Sequence, residues 1–253
     1  MRGLEAGVAA GLLAGNGVAV AAAGGLGVAA VGGTLAWAAL SPGSQLFGKT
    51  LIAPSRPDEF ALTFDDGPNP AATPQLLEVL AKAGVRATFF LIGGFVRQCP
   101  ELVREIAAAG HVVGNHTMTH PWLSWQGERR IREELQGASA AIEDVLGQPV
   151  RYFRAPHGAR NPATLRVVRE MGMTPVQWNV ICQDWNPIGV DGIFDRAVRG
   201  VEKNRRRGAA TNVVLHDGGH TGLGQPRMDT VRAVERLVKR YEGMRFVTVD
   251  AWG

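Results

Sequence analysis

The chain has 253 residues, of which 45% are hydrophobic and 20% are charged, as expected for one sizeable globular domain with a short appendage. A net charge of +4 does not indicate a nucleic-acid-binding protein, because the only dense basic run, residues 205–207, has no aromatic residues interleaved with it. The two cysteines, Cys99 and Cys182, have neither metal-ligand spacing nor a disulfide framework, so we interpret them as separate thiols.

The N-terminal part differs in composition from the rest of the chain. No charged residue occurs between Ala6 and Gly48, and this run exceeds the ~20 apolar residues that one membrane-spanning helix needs. We therefore predict a transmembrane anchor over residues 1–48 and a linker over residues 49–57. We favour an uncleaved anchor over a signal peptide, whose apolar core is usually about 7–15 residues long. One span would place the catalytic domain outside the cytoplasm, which is the arrangement we predict, whereas a hairpin would return it to the cytoplasm.

Short apolar runs alternate with helical patterns through residues 58–253, which we predict to form one domain. The predicted strands are Phe60–Phe64, Ala87–Ile92, Val112–Val113, Tyr152–Phe153, Pro175–Val180, Asn212–Leu215 and Phe246–Val249. The predicted helices are Pro74–Ala83, Pro100–Ala109, Glu128–Leu146, Pro162–Met171, Asp191–Asn204 and Met228–Tyr241. This alternation predicts a parallel α/β fold, and we favour a barrel over an open sheet. In α/β barrels the chemistry lies at the carboxyl ends of the strands.

Two adjacent carboxylates, Asp65 and Asp66, end the first predicted strand. Two ionised carboxylates are costly side by side, and a bound cation removes that cost. Because side chains alternate along a strand, we expect different roles for the two, one as a metal ligand and the other as a base. The alternative is an ordinary turn, which the Asp-Gly-Pro sequence also suits.

Histidines follow the third strand. His116 and His120 are four residues apart and can share one cation, and imidazole suits zinc and related metals. The alternative is a pair of solvated or capping histidines.

The later strand ends also carry polar side chains. Arg154 can fix a carboxylate, and the loop that follows it can direct a backbone N–H at an oxyanion. Asp184 can orient a histidine, and Trp185 can form an apolar or sugar-stacking wall. His216 follows a Val-Val-Leu run and is a candidate general acid, whereas His220 in the adjoining Gly-rich loop is a weaker candidate. Each signal alone also fits a structural role, but together they cluster at strand ends.

These five ordered motifs resemble carbohydrate esterase family 4, the polysaccharide deacetylases with a NodB-homology domain, over about residues 58–252. The resemblance implies a distorted (β/α) barrel with about seven strands and the hydrolysis of N-acetyl groups on sugars of a cell-wall polysaccharide. The implied metal ligands are Asp66, His116 and His120. The implied catalytic residues are Asp65 as base, Arg154 holding Asp65, His216 as general acid and Asp184 orienting His216. The implied substrate contacts are Pro156, His157, Trp185 and Leu215.

One position departs from the family pattern. The third motif usually has Tyr after its Pro, whereas this chain has His157. We interpret His157 as a substrate-side residue rather than a fourth metal ligand. The expected cofactor is one divalent ion, with zinc as the default and cobalt, nickel or manganese also acceptable to two His and one Asp.

Three other functions stay open on the sequence. They are a deacylase of a lipid-linked sugar precursor, a catalytically silent carbohydrate-binding module, and a retaining glycosidase that uses Asp65 and Asp66. The last is disfavoured, because adjacent strand residues point apart and that chemistry needs two carboxyls about 5–5.5 Å apart across one bond. The acetylated sugar could belong to peptidoglycan, to a chitin-like oligomer or to an exopolysaccharide.

Overall fold

A computed structural model describes residues 31–253. Within this range eight strands form one sheet: β1 (Glu59–Gly67), β2 (Thr88–Leu91), β3 (Val112–Asn115), β4 (Tyr152–Phe153), β5 (Thr174–Pro175), β6 (Val180–Ile181), β7 (Thr211–His216) and β8 (Arg245–Phe246). The helices are α1 (residues 31–40), α2 (Thr73–Ala83), α3 (Gly93–Gln98), α4 (Pro100–Ala108), α5 (Glu128–Leu146), α6 (Pro162–Glu170), α7 (Gly189–Arg206) and α8 (Met228–Arg240). Three short 3-10 helices, Leu123–Trp125, Pro156–Gly158 and Val249–Trp252, complete the regular structure of these residues.

All strand pairs are parallel, and the sheet order is β5-β4-β3-β2-β1-β7-β6, with β8 beside the start of β1. Seven strands thus follow one curled path, and β5 and β6 at its two ends do not pair with each other. This arrangement confirms the predicted α/β class and gives an incomplete barrel.

Residues of the predicted linker contribute to the side of the barrel between β5 and β7. The N–H of Leu51 donates to Pro175 O (2.8 Å), and the N–H of Gln177 donates to Leu51 O (2.7 Å). Three residues later, Pro54 O accepts from the N–H of Ala210 at 2.9 Å, just before β7. Residues 51–54 therefore contact both β5 and the start of β7, and they form part of the domain.

The secondary structure differs from the prediction at three places. The run Pro175–Val180 is not one strand, because its first residue pairs with β4 while its last pairs with β7. Of the predicted strand Phe246–Val249 only Phe246 belongs to β8, and Val249 begins a 3-10 turn. Helix α3 is absent from the prediction because six residues are too few for a helical period to show.

Strand β1 shows how the fold creates both a core and a site. All nine of its residues are buried, and alternate side chains point to opposite faces of the sheet. Phe60, Leu62 and Phe64 belong to the main apolar core together with side chains of the surrounding helices. Thr63 and Asp65 instead meet the buried guanidinium of Arg154. The face of β1 that meets the helices thus contributes to the apolar core, whereas the face toward the interior of the barrel carries polar side chains.

The predicted anchor, residues 1–48, lies largely outside the described residues. Its last part includes α1, whose large apolar side chains Val31, Leu35, Trp37 and Leu40 are exposed. Among residues 31–253 we find no helix with the length and apolar character that crossing a membrane requires.

The chain after α1 is bound to the barrel through Arg160. The buried guanidinium of Arg160 donates to Ser41 O and Ser44 O, both at 2.8 Å, and the Arg160 N–H donates to Ala39 O at 3.0 Å. Arg160 also donates to Gly158 O (3.0 Å), so one side chain joins this segment to the loop after β4.

Candidate active site

A bulge at the end of β1 places both carboxylates in one cavity. Asp65 pairs with Phe90 of β2 and Gly67 pairs with Leu91, so Asp66 is an extra residue in the ladder. Asp66 has φ 70°, and such a bulge re-aims a side chain. Asp65 and Asp66 consequently line the same cavity of about 510 Å³. The expectation that strand alternation would point them apart is wrong here, because alternation fails at a bulge.

Close backbone contact supports this bulge. A Cβ added to Gly218 would collide with the carbonyl oxygen of Asp66, and a Cβ added to Gly67 would collide with the carboxylate of Asp217. The strand ends of β1 and β7 therefore approach each other more closely than any larger residue allows.

A tight turn after β3 carries the two histidines. Asn115 Oδ1 accepts from the Thr117 N–H (2.8 Å), and Thr117 Oγ1 accepts from the His120 N–H (3.0 Å). The carboxylate of Glu134 on α5 accepts from the N–H groups of Met118 and Thr119 at 2.9 and 2.8 Å. The turn is thus fixed by side chains before and beyond it. Glu134 was not predicted to contribute, because the spacing of the histidine motif does not reveal it.

Three potential ligand atoms converge on one point. Asp66 Oδ1 lies 3.3 Å from His116 Nε2 and 3.1 Å from His120 Nε2. Asp66 Oδ1 is buried and has no hydrogen-bond donor among the described residues. His116 Nδ1 lies 2.8 Å from Arg154 O, and since a carbonyl only accepts, Nδ1 carries the proton. With Nδ1 directed at this carbonyl, His116 presents its Nε2 to the Asp66 carboxylate beside the Nε2 of His120, and a cation between these three atoms would bind all of them.

The electrostatics of Asp66 agree with this arrangement. Burial raises the pKa of Asp66, but the close approach of the His116 and His120 rings and the charge of His216 outweigh burial and hold the pKa well below the usual range. Asp66 is thus ionised at neutral pH. Asp66, His116 and His120 are the one group of three among residues 31–253 whose donor atoms are close enough to hold a metal ion.

Arg154 lies beneath the site, fully buried. Its Nη1 donates to Asp65 Oδ1 at 2.8 Å and to Thr63 Oγ1 at 2.7 Å, and its guanidinium lies 4.2 Å from the centre of the Phe90 ring. The contact with Asp65 is through one nitrogen rather than the two of a bidentate pair. It holds the carboxylate at a fixed position toward the cavity.

Asp184 and His216 form a second buried pair. His216 Nδ1 lies 2.8 Å from Asp184 Oδ1, while Asp184 Oδ2 accepts from the His216 N–H (2.8 Å) and from Thr230 Oγ1 (2.9 Å). Burial lowers the pKa of His216, but the charge and hydrogen bond of Asp184 raise it to about 9. His216 is therefore protonated at neutral pH. It pairs with Asp65 in the β1–β7 ladder, so acid and base candidates flank the same cavity.

Aromatic rings form the rim of the cavity. The His157 ring stacks on Trp122 at 3.9 Å with 13° between planes, and the His220 ring stacks on His120 at 4.5 Å. On the other side Trp185 packs edge-on against His216 at 5.1 Å. Burial, and then the neighbouring histidines, lower the pKa of His157 to about 4, so its ring is neutral. His157 and Trp185 reach the cavity as predicted.

Two of the predicted substrate contacts, Leu215 and Pro156, do not line the cavity. Leu215 is fully buried in the main core, because it points to the opposite face of β7 from His216. Val214 lines the cavity instead. Pro156 is buried, and it begins the 3-10 turn that presents His157 at φ 57°.

Several cavity residues were not predicted. They are Trp122, Trp178, Ile181, Thr221, Gln225 and Arg227. Each lies in a loop or beside a strand end, where no periodicity marks it, so only the folded arrangement reveals their contribution.

Comparisons with known proteins agree with the site. The family model for polysaccharide deacetylase matches residues 53–176. A chitooligosaccharide deacetylase of Sinorhizobium fredii is 39% identical over 74% of this chain and 86% of that protein. A peptidoglycan-N-acetylglucosamine deacetylase of Bacillus cereus is 35% identical over 79% of this chain and 91% of that protein.

Among solved structures, a mutant of a carbohydrate esterase family 4 pseudoenzyme with restored enzymatic activity has a TM-score of 0.70. It is 26% identical, over 80% of this chain and 70% of that chain. This fold therefore occurs in a protein described both as a pseudoenzyme and, after mutation, as active. By its sequence, its barrel and its curated relatives, this chain belongs to the polysaccharide deacetylase family, carbohydrate esterase family 4.

Proposed function

We propose that this protein is a divalent-metal-dependent N-deacetylase acting on N-acetylated sugars of a cell-wall polysaccharide, either peptidoglycan or a chitin-like polymer. The observation that carries the proposal is the convergence of Asp66 Oδ1 with His116 Nε2 and His120 Nε2, without a hydrogen-bond donor for that oxygen among the described residues. Asp65 and His216 line the same cavity, so a cation site, a base and an acid occur together.

The residues present fit a metal ion. One carboxylate oxygen and two imidazole nitrogens are a common ligand set for zinc, which is our default, and cobalt, nickel or manganese would also accept it. When bound, such an ion supplies Lewis-acid polarisation of the acetyl carbonyl and lowers the pKa of water. Asp66, His116 and His120 would hold it.

Asp65 is the proposed base. The hydrogen bond from the buried Arg154 fixes its Oδ1, which leaves the other carboxylate oxygen to accept a proton from the attacking water. Arg154 thereby acts as a positioning residue.

His216 is the proposed general acid. Asp184 keeps the ring protonated and oriented through Nδ1, so Nε2–H is available to protonate the departing amine, which is otherwise a poor leaving group. The loop after Arg154 can add a backbone N–H for the oxyanion.

The polymer substrate is supported by the relatives, which are named for chitooligosaccharide and for peptidoglycan N-acetylglucosamine. A lipid-linked sugar precursor is the second candidate, favoured by the uncharged run that precedes residue 49. We further propose that this run anchors the catalytic domain to the membrane on its extracytoplasmic side.

The decisive experiment measures acetate release from peptidoglycan and from chitin oligomers, with and without a chelator. We use the full chain in detergent, because removing residues 39–44 would leave the buried Arg160 without three of its backbone contacts. Chelator-sensitive release supports the proposal. Metal binding without release from either polymer would favour the lipid-linked precursor, and neither metal nor release would favour a silent binding module.

The variant Asp65→Asn separates catalysis from metal binding. We expect it to keep one metal ion per chain and to lose roughly 10²- to 10⁴-fold in turnover, the usual contribution of a general base. Wild-type turnover in Asp65→Asn would refute the role of Asp65.

A further inference from the structure

Two tryptophans project from the protein beside the cavity. Trp122 is 46% exposed and Trp125 is 84% exposed, the largest exposure among the large apolar residues of the described chain. Exposed indoles are costly in water, and a Trp presents a large rigid surface to a ligand.

The two tryptophans lie at the two ends of one short turn. The Trp125 N–H donates to Trp122 O at 3.2 Å, and Trp122 precedes the 3-10 helix Leu123–Trp125 in an extended conformation. Leu123 between them is fully buried. The turn thus directs one apolar residue into the core and two indoles outward.

The turn is held firmly to the barrel. Asn161 Nδ2 lies within 3.2–3.4 Å of the carbonyl oxygens of Leu123, Ser124 and Gln126. At its inner end Trp122 stacks on His157 and lines the cavity. Trp122 therefore connects the cavity to a fixed turn that carries the exposed Trp125.

We propose that Trp122 and Trp125 are an outer sugar-binding platform, on which pyranose units next to the acetylated unit stack. This inference rests on the proposed deacetylase function and specifies its substrate as a chain of several sugars rather than a single one. A pyranose ring has an apolar face of C–H groups that suits an indole. A four-residue turn keeps the Cα atoms of Trp122 and Trp125 within about 7 Å of each other, so neighbouring sugars of one chain can reach both side chains. A lipid bilayer is the competing occupant, but the contact of Trp122 with His157 favours a ligand that continues into the cavity.

The test compares acetylated chitooligosaccharides of two and six units, using the full chain in detergent. For the wild type we expect kcat/KM to rise with length. For Trp125→Ala we expect the ratio of kcat/KM for the six-unit oligomer to kcat/KM for the two-unit oligomer to fall about 2- to 10-fold, the range that one aromatic stacking contact supplies. The fall should come from a higher KM for the six-unit oligomer, with kcat unchanged. The matched control is Trp37→Ala, since Trp37 is also exposed (57%) but lies on α1.

Binding of the six-unit oligomer to the inactive Asp65→Asn variant, measured by calorimetry with and without Trp125→Ala, gives a second readout. Weaker binding after Trp125→Ala supports the platform even if the wild type releases no acetate, in which case the proposed function alone fails. An unchanged length ratio and unchanged binding overturn the platform. If Trp125→Ala and Trp37→Ala both weaken association with phosphatidylglycerol vesicles while oligomer binding stays constant, the occupant is a bilayer and the proposal is wrong.

Discussion

The buried pair of Asp184 and His216 gives a prediction whose size follows from the structure. Burial lowers the pKa of His216, but Asp184, with a smaller contribution from the charges of Asp66 and Asp65, raises it to about 9 from an ordinary 6.5. The shift corresponds to about 3 kcal/mol of preference for the protonated ring. The variant Asp184→Asn keeps the shape of the side chain and removes the charge. We expect the pKa of His216 to fall to about 6.5, because the charge of Asp184 is the largest of the effects that oppose burial.

The effect on turnover should depend on pH. If a protonated His216 is required, a pKa of 9 keeps it almost fully charged at pH 6 and pH 8, whereas a pKa of 6.5 leaves only about 3% charged at pH 8. The turnover of Asp184→Asn should therefore fall less than about 2-fold at pH 6 and about 30-fold at pH 8 because of the smaller protonated fraction of His216. Any loss from misorientation of the ring would add a factor that does not vary with pH.

The same pair should affect stability with pH. The pKa of His216 is raised on folding, so its contribution is fully present below about pH 6.5 and is lost as pH rises through 9. The pKa of Asp184 is lowered: burial raises it, but the charge and hydrogen bond of His216 outweigh burial. The contribution of Asp184 is therefore present above its ordinary pKa near 3.8 and is lost as pH falls below it. Asp184→Asn should lower the melting temperature most between these limits.

The assay is an NMR titration of the histidine rings in metal-free protein, followed by kcat/KM between pH 6 and pH 9. Thr230→Val is the matched control, because it removes one hydrogen bond to Asp184 and leaves the charge. We expect a smaller fall in the pKa of His216 for this variant. A pKa of His216 that stays near 9 in Asp184→Asn would refute the electrostatic argument.

The remaining predictions concern the backbone around the site and the segment before the barrel. Gly218→Ala should weaken metal binding and destabilise the fold by about 1–3 kcal/mol, because the added Cβ would collide with the Asp66 carbonyl oxygen. Metal titration and thermal unfolding test this prediction. The control is Gly243→Ala, where an added Cβ meets nothing within 4 Å. Arg160→Met should release the segment after α1 and speed its proteolysis, with a cost of about 2 kcal/mol or more from lost charged hydrogen bonds. Equal cleavage rates in wild type and Arg160→Met would contradict that attachment.

The sequence was sufficient for the parts of the fold that depend on regular patterns. Long helices such as α5 and α8 show a clear apolar period, and β1 is a continuous buried run. Two-residue strands such as β5 and β6 carry no period, which is why the run between them was predicted as one strand. Pairing partners that are distant in the chain, here β4 and β7, determine where such strands end.

The candidate site was likewise predictable only where it depends on regular strand patterns. Asp65, Asp66, His116, His120 and His216 follow strands, and the shared carboxyl edge of a parallel sheet brings them together as predicted. The bulge at Asp66 could not be predicted from the alternation of side chains along a strand. An extra residue in the ladder depends on the neighbouring strand and on the contact with Gly218 rather than on the local sequence.

The bulge also bears on the choice between deacetylase and glycosidase. Both carboxylates of the pair face the cavity, so the original objection to a glycosidase no longer holds. The electrostatics supply a different one. The pKa of Asp66 is held well below the usual range, so Asp66 is not arranged to stay protonated as the acid of a glycosidase must, and Asp65 accepts a hydrogen bond from the buried guanidinium of Arg154. His216, which the charge of Asp184 keeps protonated, lines the same cavity as a proton donor. Converting it to Gln should abolish acetate release while metal affinity persists, and this combination is expected only if the histidine, and not a carboxyl group, protonates the leaving group.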